Sequence, residues 1–286
     1  MTTTRIDFSP PAPGTMDVRW IHGSPSAKHN TDPDIQVHAY NEHTFILRQN
    51  KAVDYEAPFL FLLFGNDRVV LLDTGATAAA EHFPLRRTVE DLMRRWLAVH
   101  PRAGYELLVL HTHAHGDHVA GDAQFAGRPD TVVVGAGRDA AWAYLGLAEP
   151  GGESRVHLGG RMLECLATPG HHESAVTFYD RYTGLLFTGD TFYPGRLYVD
   201  DWAAFRRTVD SLVRFAGSRP VTHVIGCHIE MTSEPGVDYP VRTAYQPDEP
   251  PLQMTTRQLD DLRAAVDEVG DRIGRHVFGD FIICRW

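Results

Sequence analysis

The sequence predicts an α/β (α+β) fold in which packed sheets are flanked by helices. Two observations carry the prediction. Short apolar runs bounded by Gly, Asn and Asp alternate with helix-period segments, and this alternation appears in both halves of the chain. The order, strands first and then strands mixed with helices, recurs in both halves and suits two packed sheets flanked by helices. Periodicity alone does not select two packed sheets over other α/β layouts.

The elements follow in order. Residues 1 to about 40 are rich in Pro, Thr, Ser and Asp and read as an irregular arm. Residues 41–286 read as a single domain that includes a late loop and a late helix. Thr44 to Arg48, Pro58 to Phe64 and Arg68 to Asp73 have the length and flanks of strands, with Gly65-Asn66-Asp67 as a hairpin turn. From Thr88 to His100, the residues Val89, Leu92, Met93, Trp96 and Leu97 share one helical face. A strand from Glu106 to Leu110 then runs directly into His111-Thr-His-Ala-His-Gly-Asp-His118.

The second half repeats the pattern. Thr131 to Val134 reads as a strand and Arg138 to Leu147 as a short helix. Met162 to Ala167, Ala175 to Tyr179 and Leu185 to Thr188 read as further strands. Asp201 is placed to cap a helix that buries Trp202, Phe205, Val209, Leu212 and Val213. Thr222 to Ile225 is a last buried strand before Gly226-Cys227-His228. Residues 231–253 read as a long ordered loop, and Thr255 with Gln258 forms a capping box that opens a helix. The tail Phe281-Ile-Ile-Cys-Arg-Trp286 suits core packing or a homodimer contact.

Composition narrows the functions. Apolar residues make up 43% and charged residues 22%, as in an ordinary globular protein. No apolar run approaches the roughly 20 residues of a membrane span. The first sixteen residues lack the apolar core of a signal peptide, so a cytoplasmic location and no membrane partner are expected. The net charge of -10 argues against nucleic acid, whose backbone demands clustered Lys and Arg. Three scattered cysteines, Cys165, Cys227 and Cys284, make no disulfide framework. A small-molecule substrate is the expected partner.

The sixteen histidines are the unusual feature. His113, His115, Asp117 and His118 lie within one six-residue stretch after a buried strand. In an extended segment, side chains two apart point the same way, and Gly116 permits the turn that brings Asp117 and His118 to the same cavity. Imidazole nitrogen and carboxylate oxygen suit zinc and related first-row ions. Three later apolar runs each lead into a further candidate: His171 in Thr168-Pro-Gly-His, Asp190 in Thr188-Gly-Asp, and His228 in Gly226-Cys-His.

These motifs, with Leu71-Leu-Asp-Thr-Gly75, occur in the order that makes the chain resemble the metallo-β-lactamase superfamily of hydrolases. The resemblance runs from about residue 44 to 230. It implies a four-layer αββα sandwich of two mixed sheets, with a dinuclear metal site in the cleft between them. It implies that His113, His115 and His171 hold one divalent ion and that Asp117, His118 and His228 hold the other, with Asp190 bridging. Zn2+ is the expected metal, with Fe or Mn as options. Asp73 matches the acidic residue that supports the ligands from behind.

The implied chemistry is metal-dependent hydrolysis, in which a metal-bridging hydroxide cleaves an ester-like bond in a lactone, ester or thioester. Asp117 is the expected proton-handling residue. Tyr193, three residues beyond Asp190, is spaced like a substrate-facing tyrosine of acyl-homoserine lactonases; the competing reading is aromatic packing at the cleft rim. Arg196 reads as solvated, or as a contact for an anionic substrate. His111 reads as a local support, His172 as the weaker competitor of His171, and Cys227 as a small buried packing residue. His223 lies near the cleft strand without a spacing argument. His22, His29, His82 and His276 read as surface or core groups.

Other branches fit less well. Zinc β-lactamases of the best-known class carry Cys where this chain has Asp190. Flavodiiron-type oxidoreductases usually have Glu at the place of His115. A persulfide dioxygenase-like oxidoreductase with a single iron, and a phosphodiesterase, are the enzymatic alternatives. A non-catalytic binding protein is disfavoured because every expected ligand is present.

Overall fold

The computed structural model describes residues 4–9 and 11–286. β1 (Ile35–Asn41), β2 (Thr44–Gln49), β3 (Phe59–Phe64) and β4 (Arg68–Leu72) form successive antiparallel pairs. The chain then crosses through α1 (Leu85–Val99) to β5 (Glu106–Leu110), which lies parallel to β4. The short α2 (Gly116–Val119) precedes β6 (Thr131–Val133), parallel to β5, and the six strands lie in chain order. After α3 (Arg138–Leu145), β7 (Glu153–His157), β8 (Met162–Ala167), β9 (Val176–Asp180) and β10 (Leu185–Gly189) run antiparallel in a second sheet. β11 (Arg196–Val199) leaves that sheet, and α4 (Trp202–Gly217) returns the chain to β12 (His223–Gly226), parallel to β10. β13 (Gln253–Met254) closes its edge. After α5 (Thr256–Val269), β14 (Gly274–Val277) and β15 (Ile282–Arg285) join β11 in a small third sheet.

Two large mixed sheets therefore face each other, with helices outside. β3 shows why its sequence, Phe-Leu-Phe-Leu-Leu-Phe, is apolar at every position. Phe59, Phe61 and Leu63 pack between the sheets against residues such as Phe178, Phe187 and Ile225, while Leu60, Leu62 and Phe64 pack under α1. A strand covered on both faces reads as a continuous apolar run. The second sheet repeats the rule: Leu185 and Phe187 face the sandwich core, and Leu186 faces α4 and α5. Asp201 accepts from the Ala204 amide at 2.9 Å, and the Thr255–Gln258 capping box is formed. Among the described residues no helix is long and apolar enough to cross a membrane.

Several boundaries differ from the sequence reading. The arm expected to be irregular through residue 40 ends in β1, whose alternating exposure at the sheet edge left only a weak apolar signal. The helix expected to reach Leu147 stops at Leu145, because Gly146 adopts a left-handed φ of 72°. β7, β11, β13, β14 and β15 were not anticipated. The C-terminal tail is core packing: β15 pairs with β11, and Ile282 and Ile283 are buried.

The arrangement brings strand ends together. Parallel β4 and β5 end side by side at Leu72 and Leu110, and parallel β10 and β12 end at Gly189 and Gly226. The carboxyl ends of parallel strands are where open α/β sheets place their ligands. Asp73, the 111–118 segment, Asp190 and His228 all leave from these ends.

Candidate metal centre

The 111–118 segment leaves β5 extended, then turns into α2 at Gly116, so His115 stands at the helix start and Asp117 and His118 lie in its single turn. His171 comes from the loop between β8 and β9, and Asp190 and His228 follow β10 and β12 directly. Two glycines make these approaches feasible. Gly170 has φ 144°, and a Cβ there would lie 2.5 Å from the Phe205 Cα. Gly189 has φ 54°, and a Cβ there would lie 2.7 Å from the Thr112 side chain.

The ligand atoms converge in two groups. In the first, His113 Nε2 lies 3.0 Å from His115 Nδ1, and His171 Nε2 lies 3.0 Å from His115 Nδ1 and 3.3 Å from His113 Nε2. In the second, His118 Nε2 and His228 Nε2 are 3.4 Å apart, and Asp117 Oδ2 lies 3.3 Å and 3.2 Å from them. Asp190 Oδ2 sits 3.5 Å from His118 Nε2 and 3.4 Å from His228 Nε2. The same oxygen is 3.9 Å from His113 Nε2 and 3.8 Å from His171 Nε2, so it stands between the groups.

The ring protons are assigned by what the far nitrogens touch. His171 Nδ1 donates to the Tyr198 carbonyl at 2.7 Å and His228 Nδ1 to the Glu56 carbonyl at 3.0 Å. His118 Nδ1 donates to Asp73 Oδ2 at 2.9 Å, and His113 Nδ1 to Thr112 Oγ1 at 3.1 Å. Each of these bonds leaves the converging Nε2 with a lone pair. Asp73 is fully buried and also accepts from the Thr112 amide at 2.7 Å and the Thr112 hydroxyl at 2.8 Å.

This donor set fits divalent metal. Ring nitrogens about 2.0–2.1 Å from a tetrahedral ion stand roughly 3.3 Å apart, close to the spacings found. Lone pairs aimed at one another at 3.0–3.3 Å repel unless a cation sits among them. Asp190 Oδ1 is buried with no hydrogen-bond partner, an expensive state for a carboxylate unless a cation meets it. The electrostatics mark the second group as one that gathers positive charge, from ring protons or from a metal ion that replaces them. Burial holds the His113 and His171 rings neutral, with basic groups below their usual range. Burial alone would favour protonated Asp117 and Asp190, yet His118 and His228 hold both carboxylates far below the usual range. His118 and His228 are correspondingly raised against the opposing effect of burial, because Asp190, Asp117 and, for His118, Asp73 crowd them with negative charge.

The neighbours sort clearly. His111 Nε2 contacts Asp122 at 2.9 Å, and Asp122 also accepts from Thr74, so His111 braces the ligand segment. His172 bonds Ser174 at 2.9 Å while its ring lies 4.7 Å from that of His115; His171, not His172, joins the cluster. Cys227 is buried against Asp73 at 3.5 Å. Tyr193 is buried, its hydroxyl donating to the Arg196 carbonyl at 2.5 Å with Glu230 Oε2 at 3.1 Å, and its ring lies 5.6 Å from that of His228. Of its two readings, the geometry supports packing. Arg196 is neither solvated nor open to substrate: it is buried and pairs with Glu230 at 2.5 Å and Asp238 at 3.0 Å.

The sequence reading missed Glu56, Tyr198 and Glu230. The first two act through backbone carbonyls, which any residue supplies, so no side-chain pattern marks them. Glu42, His43 and His100 form a further cluster. It does not suit a metal, because His43 Nδ1 accepts from the Trp96 indole at 3.1 Å and its proton then occupies Nε2.

The sequence profile of the metallo-beta-lactamase superfamily matches residues 56–269. A hydroxyacylglutathione hydrolase of Rhodobacter capsulatus is 32% identical over 166 residues, 57% of this chain and 57% of that protein. Another from Hahella chejuensis (strain KCTC 2396) is 35% identical over 114 residues, 38% of this chain and 44% of that protein. The chain thus spans about half the length of these curated relatives. Among solved structures, DIM-1 metallo-beta-lactamase superposes with TM-score 0.54 at 14% identity, covering 83% of this chain and 99% of that one. The metallo-beta-lactamase from Pontibacter korlensis gives 0.52 at 14% identity, over 82% and 99%. At that identity the likeness concerns the fold.

Proposed function

Because this chain belongs to the metallo-β-lactamase superfamily, we propose that it is a dinuclear metal-dependent hydrolase of ester-like bonds, thioesters foremost. The observation that carries the proposal is the position of Asp190, whose Oδ2 lies 3.4–3.9 Å from four ring nitrogens drawn from two separate ligand groups. His113, His115 and His171 would hold one ion and Asp117, His118 and His228 the other, with Asp190 shared. Nitrogen and oxygen donors favour zinc. Bound there, the ions supply water of lowered pKa and Lewis acidity at a developing oxyanion.

The chain's own groups have defined tasks. Asp73 and the Glu56 and Tyr198 carbonyls hold His118, His228 and His171 in the ligating tautomer. Asp117, with its side chain 23% exposed against 9% for Asp190, is the more accessible carboxylate of the cluster, so it is the group placed to take up and return a proton at the cleft mouth. Tyr193 serves as the wall behind His228. Thioesters come first because the relatives in Rhodobacter and Hahella are named hydroxyacylglutathione hydrolases.

The test is turnover by zinc-loaded protein on hydroxyacyl thioesters, lactones, aryl esters, phosphodiesters and β-lactams. Thioester hydrolysis lost in Asp190→Ala is the expected result. A metal-free protein with full activity would overturn the reading. One bound iron with persulfide oxidation would replace it with the dioxygenase alternative.

A further inference from the structure

Of the 27 Lys and Arg residues in the chain, only Lys28 and Lys51 are lysines. Lys28 is exposed, whereas Lys51 is 3% exposed. Among the described residues the buried arginines all have carboxylate partners: Arg48 pairs with Glu249, Arg161 with Asp180, and Arg196 with Glu230 and Asp238. Lys51 is the one buried lysine or arginine among them that pairs with no carboxylate; its Nζ donates instead to the Tyr55 carbonyl at 3.2 Å. Burying an ammonium in this way is costly. Burial, with Arg48 beside it, pushes the amine down to about 8 against the opposing pull of Glu249, Glu230 and Glu56.

The Tyr55 carbonyl belongs to a turn on which the metal cluster depends. The next carbonyl, that of Glu56, accepts the Nδ1 proton of His228 at 3.0 Å. This turn needs ties from outside, because Ala57 has a left-handed φ of 42° and precedes Pro58, a strained combination for a residue with a Cβ. Asp54 Oδ1 accepts from the Glu56 amide at 2.9 Å, and the Phe59 amide donates to the Cys227 carbonyl at 2.8 Å. Asn50 secures the start of the segment. Its Nδ2 donates to the Asp32 and Pro33 carbonyls at 3.1 Å and 2.9 Å, and its Oδ1 accepts from the Ala52 amide at 2.8 Å. Lys51 ties the interior, reaching from residue 51 to the carbonyl of residue 55. A single carbonyl suits the compact charge of an ammonium, whereas a guanidinium fork is matched to a bidentate partner. That difference accounts for a buried lysine in a chain so rich in arginine.

We propose that Lys51 is a positioning residue for the second ion, holding the 54–57 turn so that the Glu56 carbonyl keeps His228 Nε2 aimed at Asp117, His118 and Asp190. It acts through one backbone turn and touches neither substrate nor ligand. The proposal rests on the two-ion hydrolase reading above and adds the group that sets the affinity of one site independently of the other.

The test uses the zinc-loaded full chain, in which chelator competition resolves the two affinities. Lys51→Met keeps an apolar stem and removes the ammonium. It weakens the ion at Asp117, His118 and His228 about tenfold, the lower end of the loss when a group that orients a metal-bound histidine is removed. The ion at His113, His115 and His171 keeps its affinity. Lys51→Arg, which keeps a charged donor, loses less. Cadmium NMR of the loaded chain gives an independent readout, with one resonance per site and only that of the second site displaced in Lys51→Met. Leu262→Ala, on the buried face of α5, lowers the unfolding midpoint far from the turn and controls for stability. Equal weakening of both ions in Lys51→Met, an unchanged second site, or a second-site loss of the same size in Leu262→Ala would overturn the positioning role. Selective loss of the second ion, with no hydrolysis of any thioester, ester or lactone by the wild-type chain, would sink the hydrolase reading alone. Hydrolysis by the wild type with an unchanged second site in Lys51→Met would sink the positioning role alone.

Discussion

Asp73 Oδ2 accepts the Nδ1 proton of His118 across 2.9 Å, and both side chains are fully buried. Asp73 reaches this position from the end of β4 with a left-handed φ of 66°, strained for a residue with a side chain. The strain places one carboxylate under Thr112 and His118 at once.

Asp73→Ala is expected to weaken the ion held by Asp117, His118 and His228 by about 10–100-fold, since His118 loses the partner that fixes its tautomer. Chelator competition measures this. The first ion, held by His113, His115 and His171, weakens less. Equal weakening of both would show that Asp73 acts on the fold and not on His118.

Glu230 ties three groups, the Arg196 amide at 2.8 Å, the Arg196 guanidinium at 2.5 Å and the Tyr193 hydroxyl at 3.1 Å. Glu230→Ala leaves Asp238 as the one ion-pair partner of Arg196 among the described residues, beside its bonds to the Tyr239 carbonyl and the Tyr198 hydroxyl, and is expected to cost about 3 kcal/mol in denaturant unfolding. Because Glu230 is two residues from His228, binding of the second ion should fall as well. An unchanged unfolding midpoint would show that the pair contributes nothing.

His43 is buried, and that burial pushes its basic group down to about 4. An unfolded histidine titrates near 6.5. Between those values the unfolded chain binds more protons, so stability is present above about pH 6.5 and is lost as pH falls toward 4. His43→Gln should flatten urea midpoints measured from pH 7 to 4.5. A variant profile as steep as wild type would assign the acid sensitivity to other groups.

Much of this was legible in the residues. The runs of β3 and β5 announced buried strands because both faces are covered, and the Thr255–Gln258 pair announced α5 through its cap. The residues that converge in the cleft showed because histidines and aspartates recur directly after apolar strands. β11 and β15 were hidden, since Arg196-Leu-Tyr-Val takes its meaning from a strand almost ninety residues later. The roles of Tyr193 and Arg196 were likewise invisible, because Glu230 and Asp238 reach them only through the fold.

The proposed hydrolase depends on Asp190 joining two metal ions. The most direct measurement is metal counting by mass spectrometry with anomalous diffraction, on the zinc-loaded chain and on Asp190→Ala. Two ions per wild-type chain are expected, one among His113, His115 and His171 and one among Asp117, His118 and His228, both in contact with Asp190, and fewer than two in the variant. A fully active wild-type chain holding a single ion, or two ions with Asp190 touching neither, would contradict it.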